Sequence, residues 1–274
     1  MTRPASRNEL RPLSELVSQS SWTSAGRSEG RRELVAETPV AIVFNGYTVA
    51  VMMASPSDLE DFALGFAMSE GFIAGPDDIE EFEEVTHAKG IEARFWLRAD
   101  RAAEIAERRR AMMGPVGCGL CGIDSLEQAL REVAPVTASL FLPAQEIVRA
   151  SALLQSFQPL QDRTRSAHAA GFLLPGDGIV MAREDVGRHN ALDKLLGALT
   201  RAGINPASGA VLMTSRVSVE LVQKCAVFGC PILIAVSRPT SLAVDTAQRT
   251  GITLVGFCRP DGFETYTAAD RIVG

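Results

Sequence analysis

The chain has 274 residues, 46% of them hydrophobic and 22% charged, enough for one large core or two modest ones. Its net charge of −6 argues against a general nucleic-acid binder, so an anionic ligand has to be met by local positive charge. No apolar run approaches the ~18 residues of a membrane span, and the N-terminal stretch lacks the apolar centre of a secretory signal, so a cytoplasmic location and no membrane partner are expected.

Residues 1–33 are rich in Ser, Arg and Glu without sustained periodicity and read as a disordered or loosely attached arm. An N-terminal α+β part is expected over 34–134 and an α/β part over 135–274. In the first, "PVAIVFNGYTVAVMMA" sets two β-rich runs around Asn45-Gly46, a dipeptide that tolerates positive φ at both centres of a type I′ turn, which predicts a hairpin over 40–53. Ser57 and Glu60 then stand in capping-box spacing before a helix that buries Leu59, Phe62, Ala63, Phe66 and Ala67 and stops at Gly71. Two strands are expected around Lys89-Gly90, then the charged helix "DRAAEIAERRRAMM", the loop "GPVGCGLCG", and a helix capped by Asp124 or Ser125.

Within 135–165 the pattern predicts a strand and a helix containing Ile147, Val148, Leu153 and Leu154. A second hairpin turns at Pro175-Gly176-Asp177-Gly178, and a helix follows with Leu192, Leu195, Leu196 and Leu199 inside and Gly203 as its stop. "GAVLMTSR", "PILIAVSR" and "ITLVGFCR" are continuous apolar runs of the kind buried in parallel sheets, separated by helical patterns at 217–228 and 240–250. That is a βαβαβ unit, and right-handed crossovers put its three strand ends on the edge where open α/β sheets bind ligands.

Those strands end in Arg216, Arg238 and Arg259, three guanidinium groups beside helix N-termini, a combination suited to phosphate; the bland alternative is that each merely solvates a strand end. "AREDVGRHNALDK" crowds Arg183, Glu184, Asp185, Arg188, His189, Asn190 and Asp193 into one strand-to-helix turn. His189 there can serve as acid, base or phosphate contact, whereas most of its neighbours read singly as helix caps and surface ion pairs. His87 and His168 have no partner at metal-ligand spacing and read as structural or surface residues.

Five cysteines with one C-x-x-C pair do not form a secreted disulfide framework, so reduced thiols are expected. Cys118 and Cys121 sit among Gly114, Gly117, Gly119 and Gly122, downstream of Arg108, Arg109 and Arg110. Such a loop permits exposure, and a helix N-terminus or positive charge lowers a thiol pKa from about 8.5 by a unit or more. Structural zinc needs four ligands, and Cys225, Cys230 and Cys258 supply no second C-x-x-C; no metal is expected. A zinc deaminase would also need H-x-E before P-C-x-x-C, which is absent. A thioredoxin-type pair follows a strand early in a small domain, not a charged helix in mid-chain. What remains is a pair of thiols that accept and pass on a group such as persulfide sulfur.

With these stretches together, "FCRPDG" included, the sequence from about residue 34 onward resembles the FdhD/NarQ family of sulfurtransferases required for formate dehydrogenase activity. The resemblance implies a homodimer with a cytidine-deaminase-like α/β core. It implies a cysteine desulfurase as sulfur donor, with formate dehydrogenase as the enzyme served. The acceptor would be molybdenum bis(molybdopterin guanine dinucleotide), bound as substrate, with guanine nucleotides as mimics. By resemblance Cys118 is the persulfide cysteine and Cys121 its loop partner, although proximity to the helix N-terminus by itself favours Cys121. The cofactor falls to Phe257, Cys258, Arg259, Pro260, Asp261 and Gly262, with Arg216, Arg238, Arg188 and His189 as further candidates. A non-catalytic cofactor-binding chaperone is the alternative.

Overall fold

A computed structural model describes residues 11–101 and 132–274; Cys118, Cys121, their glycines and nearly all of the two flanking helices expected from the sequence lie outside the described residues, the first helix being described only at its start, to Arg101. The fold is mixed α/β, with one four-stranded and one six-stranded sheet as its two large elements.

The expected loose arm is corrected from Ser14 onward. There β1 (Ser14–Thr23) and β2 (Gly26–Val35) pair antiparallel, with Gly26 at φ +116° in the turn. Both faces of this hairpin are largely exposed, so the alternation that marks a half-buried strand is missing from the sequence. Polar cross-strand contacts replace it, Ser20 Oγ donating to the Glu29 carboxylate at 2.8 and 2.9 Å. Arg11 donates to the carbonyl of His87 at 2.6 Å and ties the hairpin to the body.

The four-stranded sheet runs β4-β3-β6-β5, from β3 (Thr38–Phe44), β4 (Tyr47–Ala54), β5 (Ile79–His87) and β6 (Gly90–Leu97). Asn45 and Gly46 both have positive φ, as the turn chemistry requires. Val40, Ile42, Phe44, Ile91, Ala93 and Phe95 bury one face against Phe62 and Ala63 of α1 (Leu59–Ser69). The expected capping box does not form: Asp58 precedes the helix at φ +52°, without a side-chain cap. The chain instead enters α1 from a tertiary tie, in which Ser55 N–H donates to Asp185 at 2.9 Å and Lys194 donates to the Ser55 carbonyl at 2.9 Å.

The second part opens with β7 (Leu142–Pro143), α2 (Ala144–Gln155) and the short α3 (Pro159–Thr164). The hairpin β8 (His168–Leu174) and β9 (Gly178–Asp185) leads into α4 (Arg188–Arg201). Then β10 (Ala210–Met213), α5 (Val219–Val227), β11 (Ile232–Ala235), α6 (Ser241–Thr250) and β12 (Thr253–Arg259) form the expected βαβαβ unit, with β10, β11 and β12 adjacent and parallel. β13 (Gly262–Thr265) folds back on β12, and β14 (Ile272–Val273) pairs with β7. The sheet order is β13-β12-β11-β10-β8-β9. Alternate residues bury opposite faces. Val211 and Met213 meet Leu192, Leu195 and Leu221 of the helices on one side, while Leu212 and Ile234 meet Ile147 and Leu154 of α2 on the other.

Helices α1 and α4 cross in backbone contact. A Cβ on Gly65 would lie 1.8 Å from the Asp193 carbonyl oxygen, and one on Gly197 would lie 1.9 Å from that of Asp61. Buried charges reinforce the crossing. Lys194 meets Asp185 at 2.7 Å with both side chains fully buried, and Lys224 meets Asp193 at 2.9 Å and Ser69 at 2.8 Å. Two of the chain's three lysines are therefore internal fasteners.

Candidate functional site

Because β10, β11 and β12 are parallel neighbours, their C-terminal ends share one edge. β8 runs antiparallel to β10, so its first residue, His168, reaches the same edge. A cavity of about 780 Å³ opens there. Its sheet side is Thr214, Val236, Cys258, Arg259, Pro260 and His168, and its far wall comes from α2, α3 and the residues after α3. That volume lies within the ~300–1,000 Å³ typical of small-molecule sites. It has room for a nucleotide-sized ligand.

The sequence candidates occupy this edge in two groups. In the first, Phe257 stands at φ +51° beside the irregularity in the β12–β13 pairing, and its exposed ring receives two cations. The guanidinium carbon of Arg238 lies 3.9 Å and that of Arg259 5.2 Å from the ring centroid. Arg238 is already engaged, its Nε and Nη2 donating to the Glu264 carboxylate at 3.1 and 2.7 Å. Arg259 has no carboxylate partner among the described residues, and it lines the cavity. The bridge between Val217 and Pro239 continues the β10–β11 register and sets exposed Arg216 next in line to Arg238. Pro260 and Asp261 form the turn into β13, with Arg259 paired to Gly262, the first residue of that strand. Cys258 contributes wall rather than nucleophile: its buried thiol donates to the Ile147 carbonyl at 3.1 Å, and burial pushes its pKa up.

The second group is at the N-terminus of α4. His189 Nε2 lies 3.4 Å from Ser218 Oγ and 3.7 Å from Glu220 Oε2. Burial, followed by the charge of Arg188, lowers the His189 pKa; the same two causes lower that of His168. Arg188 thus couples electrostatically to both histidines, and its buried Nε has no hydrogen-bond partner among the described residues. Both imidazoles are held toward their neutral form, able to accept one hydrogen bond and donate another.

The rest of "AREDVGRHNALDK" is structural and more buried than surface ion pairs would be. Arg183 pairs with Asp61 at 2.8 Å. Glu184 accepts from the amides of Leu160 and Gln161 at 2.8 Å each, fixing the start of α3. Asp185 accepts from Lys194, and Asn190 Nδ2 donates to the Met53 carbonyl at 2.8 Å. Cys225 and Cys230 are fully buried, and the Cys225 thiol is pushed well up by its contact with Cys230 and by burial. Among the described residues no cluster of His, Cys, Asp or Glu could hold a metal ion, and no helix is long and apolar enough to cross a membrane.

His168 is the site residue that the sequence reading set aside. Its place before a hairpin was visible, but only the insertion of β8 beside β10 brings it to the ligand edge. Asp162 and Arg165, on the far wall, carried no signal at all, since α3 is six residues long and has no periodic face to read.

Comparison with known proteins places these residues in a wider set. The FdhD/NarQ family profile matches residues 35–273. A protein named sulfur carrier protein FdhD from Agrobacterium fabrum is 49% identical over 245 residues, covering 89% of this chain and 90% of its own length. Its namesake from Bordetella bronchiseptica is 47% identical, covering 91% of this chain and 89% of its own. The crystal structure of a candidate formate dehydrogenase accessory protein from Desulfotalea psychrophila superposes with a TM-score of 0.76 at 29% identity, covering 96% of this chain and all of that one.

Proposed function

The chain belongs to the FdhD/NarQ family, and from that premise we propose that it is a sulfur carrier in formate dehydrogenase maturation. Its C-x-x-C loop takes persulfide sulfur from a cysteine desulfurase and passes it to molybdenum bis(molybdopterin guanine dinucleotide). Loading is thiol–persulfide exchange. A loop thiolate attacks the outer sulfur of the donor's persulfide, a new S–S bond forms as the old one breaks, and the donor cysteine leaves as thiolate with no net redox change. Cys118 is assigned the load and Cys121 the partner role.

The observation that carries the cofactor half is the cavity at the strand edge, lined by His168 and by Cys258, Arg259 and Pro260 of "FCRPDG", with Arg259 also over the Phe257 ring. A guanidinium and neutral imidazole at the C-terminal ends of parallel strands suit a phosphate-bearing ligand. Arg216, Arg238, Asp261 and Gly262 belong to the same rim, and Arg188 and His189 flank it at the start of α4. The proposal includes the cysteine desulfurase and formate dehydrogenase as partners, a homodimer and a cytoplasmic location.

A second reading follows from the cavity alone, which needs neither loop cysteine: a chaperone that holds the cofactor without sulfur chemistry. Activation of formate dehydrogenase separates the two. The carrier reading expects Cys118→Ala to abolish activation while guanine nucleotide binding stays intact; full activation by both Cys118→Ala and Cys121→Ala would establish the chaperone instead.

A further inference from the structure

The β1–β2 hairpin is the part of the fold that the cavity does not explain. Its two ten-residue strands pair only with each other, so each keeps one bare edge. The body holds the base, through Arg11 on the His87 carbonyl and Arg163 at 3.6 Å from Glu33. Residues 22–32 are exposed throughout, Trp22 to 75%. A two-stranded ribbon is marginally stable by itself in water, and further strands or a packed face ordinarily secure one.

The charges of β2 show what kind of strand its edge would accept. Arg27, Glu29, Arg31 and Glu33 share one face, because side chains alternate along a strand, and their signs alternate in that order. β1 adds no charge to this face, since its one charged residue, Glu15, stands opposite Leu34 on the other. Arg31 has no carboxylate partner among the described residues and reaches the Leu16 carbonyl instead, at 3.3 Å. Glu29 meets Arg27 at 2.5 Å and accepts from Ser20, which leaves lone pairs for a second guanidinium.

We propose that the bare edge of β2 is a self-association surface, on which a second copy of this chain lays its own β2 antiparallel about a two-fold axis at Gly30. Arg31 of each copy then faces the partner's Glu29, and Arg27 faces the partner's Glu33, so every charged pair on that face is of opposite sign. A residue on the axis meets its own counterpart, which a charged side chain could not do without repulsion and Gly30 can. Sliding the strands by two residues would set Glu29 or Arg31 against itself, so the charges fix one register. The same alternation discourages unrelated strands, the usual hazard of a bare edge. Two marginal hairpins become one four-stranded ribbon. The inference rests on the homodimer of the proposed function and names the surface that forms it.

Sedimentation of the full chain over a range of concentrations tests it. Wild type should sediment as a dimer of the 29.3 kDa chain. Glu29→Arg sets like charges together at both symmetry-related pairs, and so does Arg31→Glu; each alone should weaken dimerisation at least about tenfold. Mixed in equal amounts, the two variants should dimerise to within about threefold of wild type, because each offers the sign that the other lacks. Loss in both variants without recovery on mixing would mean general damage to the arm, and overturns the pairing. A wild-type dimer that neither substitution weakens puts the interface elsewhere, overturning this surface while sparing the homodimer. A monomeric wild type overturns both and leaves the edge to a strand of another protein.

Discussion

At the residue scale the site is governed by a few charges. Arg188 lowers the pKa of His168 and His189 in concert with burial, so both lie below the ordinary 6.5. Because the unfolded chain then binds protons before the folded one does, these histidines leave stability intact above about pH 6.5 and erode it as pH falls from there toward their folded values. Arg188→Gln removes one of the depressing charges, and the imidazole resonances of both should titrate at higher pH in an NMR titration. If neither moves, Arg188 is not the coupling charge. Arg259→Ala should weaken GDP binding about tenfold to a hundredfold, the loss expected for charge-assisted hydrogen bonds to phosphate; unchanged affinity would take Arg259 out of the site. These two arginines were legible because one ends a β-rich run and the other opens a helix after a polar turn. The engagement of Arg238 by Glu264 was not, since it depends on how β13 folds back on β12.

At the element scale, turns and periodicity carried most of the fold. Asn45-Gly46 and the glycines between β8 and β9 fixed two hairpins through positive φ, and the apolar runs of β10, β11 and β12 could only be buried on both faces. The β1–β2 hairpin leaves no apolar signal in the sequence because polar contacts rather than a buried stripe hold it, and the Ser57 box does not form because Ser55 is claimed by residues more than a hundred positions away. The crossing of α1 on α4 depends on Gly65 and Gly197, which the apolar pattern of either helix does not reveal. Gly197→Ala should gain about 1 kcal/mol of helix propensity and lose more than that to overpacking against the Asp61 carbonyl. A lower midpoint in urea is expected; an equal or higher one would mean that the helices part easily.

At the scale of the whole molecule, Lys224 of α5 pairs with Asp193 of α4 and also reaches Ser69 and Glu70 at the end of α1, joining α1 to the α/β part that bears the cavity. Burial penalises the Lys224 ammonium, yet Asp193 and Glu70 outweigh that penalty and raise its pKa. Lys224→Met should therefore cost about 3–5 kcal/mol by leaving Asp193 uncompensated. Replacing both, with Asp193→Leu added, should recover much of it. If the double variant is no more stable than the single one in denaturant unfolding, Lys224 is not what compensates the buried Asp193 carboxylate.

The central claim is that the C-x-x-C loop carries sulfur. The most direct measurement is the mass of the purified chain after incubation with a cysteine desulfurase and cysteine, with the peptide spanning Cys118 and Cys121 examined before and after cyanide. The account predicts one added sulfur on that peptide, removed by cyanide and lost in Cys118→Ala. A peptide that never gains cyanide-labile sulfur while the desulfurase turns over would contradict it.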